Sequence, residues 1–121
     1  MIISFTQTVA KPWGHEELIV RTNQYALKRL HINAHMRTSL QYHKFKAESM
    51  TIIKGKCKLI IYGENGDEFN MERDASYGIK PFTIHRNIAV TDCVILEVST
   101  PELSDVVRLE DDYGRKTSEK E

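Results

Sequence analysis

The sequence predicts a single all-β domain, and three observations support this prediction. Short runs of apolar and β-branched residues recur along the chain, turn residues separate them, and no stretch before residue 101 keeps a helical period over about 11 residues. A chain of 121 residues has the length of one domain and can bury a core without disulfide bonds. Immunoglobulin-like sandwiches and jelly-roll barrels both match this pattern.

The individual strands follow from local patterns. Residues 26–32 alternate apolar and charged side chains, as a strand with one buried face does. Asn65-Gly66 predicts a hairpin turn, because both positions tolerate positive φ. After Pro101 the sequence could form one turn of helix. The predicted strands are 26–32, 50–54, 57–62, 67–73, 76–79, 82–87 and 88–98.

The domain organisation is predicted to be simple. Residues 1–113 form the domain, and the polar stretch 114–121, which lacks an apolar anchor, is predicted to be a frayed tail. The sequence shows no internal repeat, low-complexity tract or linker before that tail.

Composition and charge exclude several classes of partner. Lys plus Arg equals Asp plus Glu, 17 each, which argues against a basic nucleic-acid surface and a polybasic membrane patch. No apolar stretch approaches the ~20 residues of a membrane span, and the first residues do not resemble a signal peptide. Cys57 and Cys93 are predicted to be free thiols. We therefore expect a cytoplasmic protein that binds neither nucleic acid nor membrane.

Four polar side chains predict a metal site. Gln41 and His43 are two residues apart, so both project from one face of a strand. Glu48 begins the next strand after a charged turn, and His85 comes from a distant part of the chain. Imidazole, carboxylate and amide oxygen ligands suit Mn²⁺, Fe²⁺ or Zn²⁺, with positions left open for a substrate. We predict Gln41, His43, Glu48 and His85 as the ligands.

These residues also carry a resemblance to a known family. The spacing His43-x4-Glu48-x6-Gly55 resembles the first cupin motif, with Gln41 where that motif usually has its first histidine, and the stretch ending at His85-Arg-Asn87 resembles the second. Further segments are similar to the type II phosphomannose isomerase domain, from about residue 9 to residue 115: Lys11-Pro-Trp-Gly14, Leu27-Lys-Arg-Leu30, Thr83-Ile-His-Arg86 and Asp105-Val-Val-Arg108. The resemblance implies a single-domain cupin, which is a double-stranded β-helix (jelly-roll) barrel, holding a divalent metal ion and pairing as a homodimer.

The same resemblance implies an activity, namely a metal-dependent aldose–ketose isomerase acting on a phosphorylated sugar, as mannose-6-phosphate isomerase does. Lys28 matches the family's inward lysine and is the first candidate for the base that moves the proton, and Glu16 is the second. Arg37 shares strand parity with Gln41 and His43, so we expect its guanidinium to point into the site and neutralise the phosphate.

Two other functions stay open. Lys44 and Phe45 follow His43 where the family has further histidines, and this loss of a potential ligand favours a small-molecule-binding cupin without catalysis. Cupins also include metal-dependent oxygenases, since one fold hosts many chemistries. Outside the predicted site, we expect His31 and His35 to face solvent.

Overall fold

The computed structural model describes residues 6–62, 67–71 and 75–115, with 67–71 described by their backbone. The described residues contain no helix, and so none long and apolar enough to cross a membrane. The strands are β1 (Gln7–Lys11), β2 (Gly14–Arg21), β3 (Ala26–Ile32), β4 (Leu40–Tyr42), β5 (Glu48–Lys54), β6 (Cys57–Tyr62), β7 (Asp67–Met71), β8 (Ser76–Ile79), β9 (Ile84–Ala89), β10 (Cys93–Ser99) and β11 (Val107–Glu110).

The strands form two antiparallel sheets. The first has six strands in the order β1-β2-β3-β10-β5-β8, and the second has five in the order β11-β4-β9-β6-β7. Neighbours in a sheet are often distant in sequence, as β3 and β10 are, so the two sheets are built from interleaved parts of the chain. This arrangement confirms the predicted all-β fold and its jelly-roll alternative.

The core lies between the sheets and follows the period of two residues. In β3 the side chains of Ala26, Lys28, Leu30 and Ile32 are buried, and those between them are half-buried. Because successive side chains of a strand point to opposite faces, one face of each strand supplies the core. The largest fully buried apolar side chains are those of Ile32, Ile52, Leu59, Ile95 and Cys57. Cys57 and Cys93 are both buried free thiols, as predicted.

The predicted strands 26–32, 57–62 and 76–79 have the predicted bounds, but the predicted strand 88–98 does not exist as one element. The chain turns at residues 90–92, between β9 and β10. The turn is held by polar side chains: Lys56 N donates to Thr91 Oγ1 at 3.0 Å, and Ala34 N donates to Asp92 Oδ1 at 2.7 Å. Gly55 also packs against it with φ of 79°, and a Cβ there would overlap the Asp92 carbonyl oxygen.

Other local predictions had different outcomes. The predicted helical turn after Pro101 is wrong, since residues 101–106 form turns that lead into β11. The sequence patterns missed β1, β2 and β11, whose side chains are mostly exposed or half-buried and so lack a clear alternation. The predicted Asn65-Gly66 turn, residues 72–73 of the predicted return strand and residues 116–121 of the predicted tail lie outside the described residues.

Candidate metal centre

The side chains of His43, Glu48 and His85 meet between the two sheets. His43 directly follows β4, His85 lies in β9 of the same sheet, and Glu48 begins β5 of the opposite sheet. His85 Nε2 is 3.0 Å from Glu48 Oε1, and His43 Nε2 is 3.4 Å from the same oxygen. Both rings and the carboxylate are almost completely buried. The structure therefore brings three of the four predicted ligands together as a group that could hold a metal ion.

Backbone carbonyl groups fix the tautomer of both imidazoles. His43 Nδ1 lies 2.6 Å from the carbonyl oxygen of Asp105, and His85 Nδ1 lies 2.8 Å from that of Thr83. A carbonyl oxygen only accepts, so each Nδ1 carries a proton, and loss of the second ring proton would leave the Nε2 lone pair directed at the centre. Burial would lower the pKa of His85, but the contact with Glu48 outweighs it and raises that pKa. His43 Nε2 is buried and has no hydrogen-bond partner. These features fit a divalent metal ion, because metal-bound histidines commonly donate their second nitrogen in this way.

Gln41, the fourth predicted ligand, lies beside this group. It is directly opposite His85 in the β4–β9 pairing, and its side chain lines the same cavity. Its Oε1 accepts a hydrogen bond from Ser39 Oγ at 2.6 Å. An amide oxygen has two lone pairs, so the Ser39 bond leaves one for a further interaction. Its role as a ligand remains a prediction.

Asp105, to which the sequence analysis gave no role, organises the loop between β4 and β5. Its carboxylate accepts hydrogen bonds from the backbone nitrogens of Lys44, Phe45 and Lys46, at 3.2, 2.6 and 3.0 Å. Its partial burial would raise the pKa of Asp105, but these three donors outweigh that effect and lower it. The backbone carbonyl group of Asp105 also binds His43. Asp105 therefore positions both the β4–β5 loop and the His43 ring.

A second carboxyl group and a lysine are buried next to Glu48. Lys46 Nζ lies 3.4 Å from Glu48 Oε2 and 3.9 Å from Glu97 Oε1. Burial would raise the pKa of Glu48, but Lys46 and the two histidines outweigh it and hold that pKa well below the usual value. For Glu97 the outcome is opposite: burial, together with the Glu48 charge, raises its pKa to about 7. The sequence offered a signal for Glu97, which has the strand parity of the buried Cys93 and Ile95.

A cavity of about 120 Å³ opens beside His43, Glu48 and His85, and its charged lining has more cationic than anionic side chains. Of the residues predicted to act in catalysis, Lys28 and Glu16 line it, and Lys28 Nζ donates to Glu16 Oε1 at 3.1 Å. The charged residues lining the cavity are Lys11, Lys28, Lys46, Arg108 and Arg115, with Glu16, Glu48 and Glu97.

Arg37 does not occupy the position that strand parity predicted for it. Its guanidinium forms two hydrogen bonds with the Asp112 carboxylate, at 2.5 and 2.7 Å, and it does not line the cavity. The reason is that β4 begins only at Leu40, while Arg37 makes an isolated bridge to Ile88. Alternation therefore does not extend back from Gln41 to Arg37. Arg108 and Arg115 are the arginines in the cavity wall.

Two antiparallel sheets enclosing a buried His–Glu–His group define a cupin with a candidate metal centre. Solved cupin structures share the fold: an RmlC-like cupin from Shewanella frigidimarina aligns over 79% of this chain and 84% of its own, with TM-score 0.71 and 9% identity. Oxalate decarboxylase from Bacillus subtilis aligns over 88% of this chain and 31% of its own, with TM-score 0.75 and 15% identity. The chain belongs to the family described as mannose-6-phosphate isomerase C-terminal, whose model matches residues 2–111.

Curated relatives agree with this assignment but are much longer proteins. A mannose-1-phosphate guanylyltransferase from Escherichia coli is 26% identical over 113 residues, and the alginate biosynthesis protein AlgA from Pseudomonas aeruginosa is 27% identical over 112. Each alignment covers 88% of this chain and 23% of the relative. The chain thus spans about a quarter of the length of these relatives. The family resemblance expected from the motifs is confirmed, at the level of the domain.

Proposed function

We propose that this protein is a metal-dependent cupin that interconverts an aldose and a ketose form of a phosphorylated sugar. The observation that carries the proposal is the convergence of His43, Glu48 and His85 in the wall of a cavity whose lining is rich in Lys and Arg. Oxygen-rich anionic substrates suit such a cavity, because the cations neutralise phosphate while the ligand group lies within the same space.

His43, His85 and Glu48 would hold a divalent ion, Zn²⁺, Mn²⁺ or Fe²⁺, with Gln41 as the fourth ligand. Such an ion supplies Lewis-acid polarisation of the substrate's hydroxyl and carbonyl oxygens. Asp105 and Thr83 keep both imidazoles in the tautomer that presents Nε2 to it. Lys46, beside Glu48, balances the negative charge that the site carries without an ion.

The isomerisation moves one proton between neighbouring carbons of the sugar, so the site needs a group that accepts and returns it. An ammonium group has no lone pair, and Lys28 is ion-paired with Glu16, so we assign proton transfer to the Glu16 carboxylate and its orientation to Lys28. Lys11 Nζ, 3.7 Å from the same Glu16 oxygen, is a second cation beside this carboxylate. The sequence favoured Lys28 over Glu16 as the base, and this assignment reverses that order.

Arg108 and Lys11 are the groups that we assign to the phosphate. Both line the cavity. Arg115 also lines the cavity, but its guanidinium donates two hydrogen bonds to the Asp111 carboxylate, each at 3.0 Å. Burial lowers the pKa of Lys11, and the charges of Lys28, Arg115 and Arg108 lower it further against the opposing Glu16 charge. A guanidinium group binds phosphate oxygens through two parallel hydrogen bonds.

The test is turnover by purified protein loaded with Zn²⁺, Mn²⁺ or Fe²⁺ in turn, followed by NMR on a panel of hexose and pentose phosphates. We expect conversion of at least one sugar phosphate, falling to background in His43→Ala. His35→Asn, which changes an exposed histidine, is the matched control and should retain full activity. Absence of conversion across the whole panel, with metal bound, would refute the proposal.

A second candidate is a cupin that binds a sugar phosphate or nucleotide sugar without converting it. The specific observation in its favour is that Lys44 and Phe45 follow His43 where the resemblance implied further histidines, so this chain offers fewer potential metal ligands. Under this reading a sugar phosphate or nucleotide sugar raises the melting temperature, NMR detects no product, and the Arg108→Ala variant loses the thermal shift.

A further inference from the structure

A second group of potential metal ligands lies on the outer face of the six-stranded sheet. His15 and Glu17 are two residues apart in β2, and His31 of β3 is directly opposite His15. Glu16 and Leu30, which face each other between them, are turned toward the cavity and the core. Alternation therefore directs His15, Glu17 and His31 away from the barrel interior, and all three are half-buried.

The three side chains converge closely. The rings of His15 and His31 are stacked, with centroids 4.1 Å apart and an interplanar angle of 11°. His31 Nε2 lies 2.5 Å from Glu17 Oε1, and one ligand atom from each of the three residues lies within 4.8 Å of the others. The ligands of a tetrahedral zinc ion are roughly 3.3 Å apart when Zn–N is 2.0–2.1 Å. Because the nitrogen lone pairs lie in the planes of the two stacked rings, one ring must tilt toward the other for both to bind the same ion.

Hydrogen bonds from Arg29 and His31 orient the Glu17 carboxylate. Arg29 donates to Glu17 Oε2 at 3.2 Å, which leaves Oε1 directed at His31. The His31 hydrogen bond, more than any other contact, lowers the pKa of Glu17, so the carboxylate is ionised at neutral pH. An ionised carboxylate only accepts, so His31 Nε2 donates to Glu17, and a metal ion bound there would displace that proton to solvent. Arg29 orients the carboxylate as supporting groups around metal sites do, although its charge reduces the attraction for a cation.

We propose that His15, Glu17 and His31 bind one Zn²⁺ ion on the outer face of the sheet, at a site separate from the barrel centre. Two imidazoles and one carboxylate are a ligand set that zinc accepts, and three protein ligands leave its fourth position to water. The site is built from two adjacent strands, β2 and β3, whereas the interior group joins both sheets. The two sites therefore share no ligand.

The experiment measures Zn²⁺ equivalents per chain, by elemental analysis after equilibrium dialysis, for the wild type and for His31→Ala, His15→Ala and His35→Asn. We expect each of the first two variants to bind one equivalent fewer than the wild type. His35→Asn changes a histidine outside both groups and should bind as the wild type does. Circular dichroism verifies that each variant is folded. Wild-type stoichiometry in both His31→Ala and His15→Ala overturns the proposal.

Two further measurements distinguish zinc bound at the outer site from zinc bound by His43, Glu48 and His85. In the wild type, zinc titration should shift the imidazole NMR signals of His15 and His31, and unchanged signals at saturating zinc would contradict the site without any variant. His43→Ala should lose one equivalent while those shifts persist. The outer site is thus distinguished from the interior one, whichever of them fills first.

Discussion

His85 Nε2 lies 3.0 Å from Glu48 Oε1, although the two residues belong to opposite sheets. Both side chains are almost completely buried, so each is withdrawn from water and depends on the other and on its neighbours for compensation. A metal ion between them would tie the sheets together, and its removal should weaken this link.

Chelation should therefore destabilise the protein. A ligand that binds the folded state alone stabilises it by about 2.7 kcal/mol at 100 times its dissociation constant, so excess EDTA should lower the melting temperature of the metal-loaded protein. Glu48→Gln, which removes the central carboxylate, should abolish this response. Glu110→Gln, at an exposed carboxylate, should preserve it. Differential scanning calorimetry makes the comparison, and equal EDTA responses in Glu48→Gln and the wild type would contradict a metal at Glu48.

Asp105→Ala should weaken both the fold and the metal centre. The change removes the acceptor for three backbone N–H groups of the β4–β5 loop, and each such bond contributes about 0.5–1.5 kcal/mol net. We expect a loss of about 1.5–4.5 kcal/mol in urea unfolding. We also expect a weaker affinity for metal, because the carbonyl of the same residue holds His43. Asp92→Ala, which removes the acceptor for one backbone N–H, should cost less and leave metal affinity unchanged. Equal metal affinity in Asp105→Ala would show that the loop does not position His43.

The residues of the candidate metal centre could be predicted from the sequence because their positions depend on strand periodicity and motif spacing. Gln41 and His43 share a face through the period of a strand, and Gly55 marks a close backbone approach that excludes a Cβ. The motif spacing then tied His85 to them. Alternation also identified the inward face of β3, including Lys28.

The remainder of the site depends on contacts between distant parts of the chain. The Asp105 carboxylate accepts a hydrogen bond from the backbone nitrogen of Lys46, 59 positions away, and no local sequence pattern predicts that contact. Arg37 was wrongly directed inward because parity holds only within an unbroken strand, and β4 starts three residues later. The sequence did not predict the turn at residues 90–92 for a related reason. Apolar residues flank Thr91-Asp92 on both sides, and the contacts of this pair with Lys56 and Ala34 are distant in sequence.

Arg108→Ala should weaken the binding of a sugar phosphate, and Arg37→Ala should not. Arg108 lines the cavity, while the Arg37 guanidinium is committed to Asp112 outside it. A hydrogen bond to a charged group contributes about 1.5–3 kcal/mol, so the dissociation constant should rise roughly ten- to hundredfold in Arg108→Ala. Isothermal titration calorimetry with the same sugar phosphate measures both variants. An equal loss in Arg37→Ala would return the phosphate role to Arg37.

Glu97→Gln should stabilise the metal-free protein at high pH and have little effect at low pH. Burial raises the pKa of Glu97 from 4.5 to about 7, so between these values the unfolded chain releases a proton that the folded protein retains. Stability contributed by this carboxyl is complete below pH 4.5, falls as pH rises through 7, and stays low above it. The amide cannot ionise, and the variant should gain as much as roughly 3 kcal/mol above pH 7.

Urea unfolding of the EDTA-treated protein at pH 4.5, 6 and 8 measures this effect. The difference between Glu97→Gln and the wild type should grow steadily with pH, while Glu110→Gln, at an exposed position, should show no such trend. Lys46 limits the gain, because the variant keeps its ammonium group paired with Glu48 but removes its second carboxylate. A difference that stays constant from pH 4.5 to 8 would mean that Glu97 ionises as freely in the folded protein as in the unfolded chain, which would contradict the raised pKa.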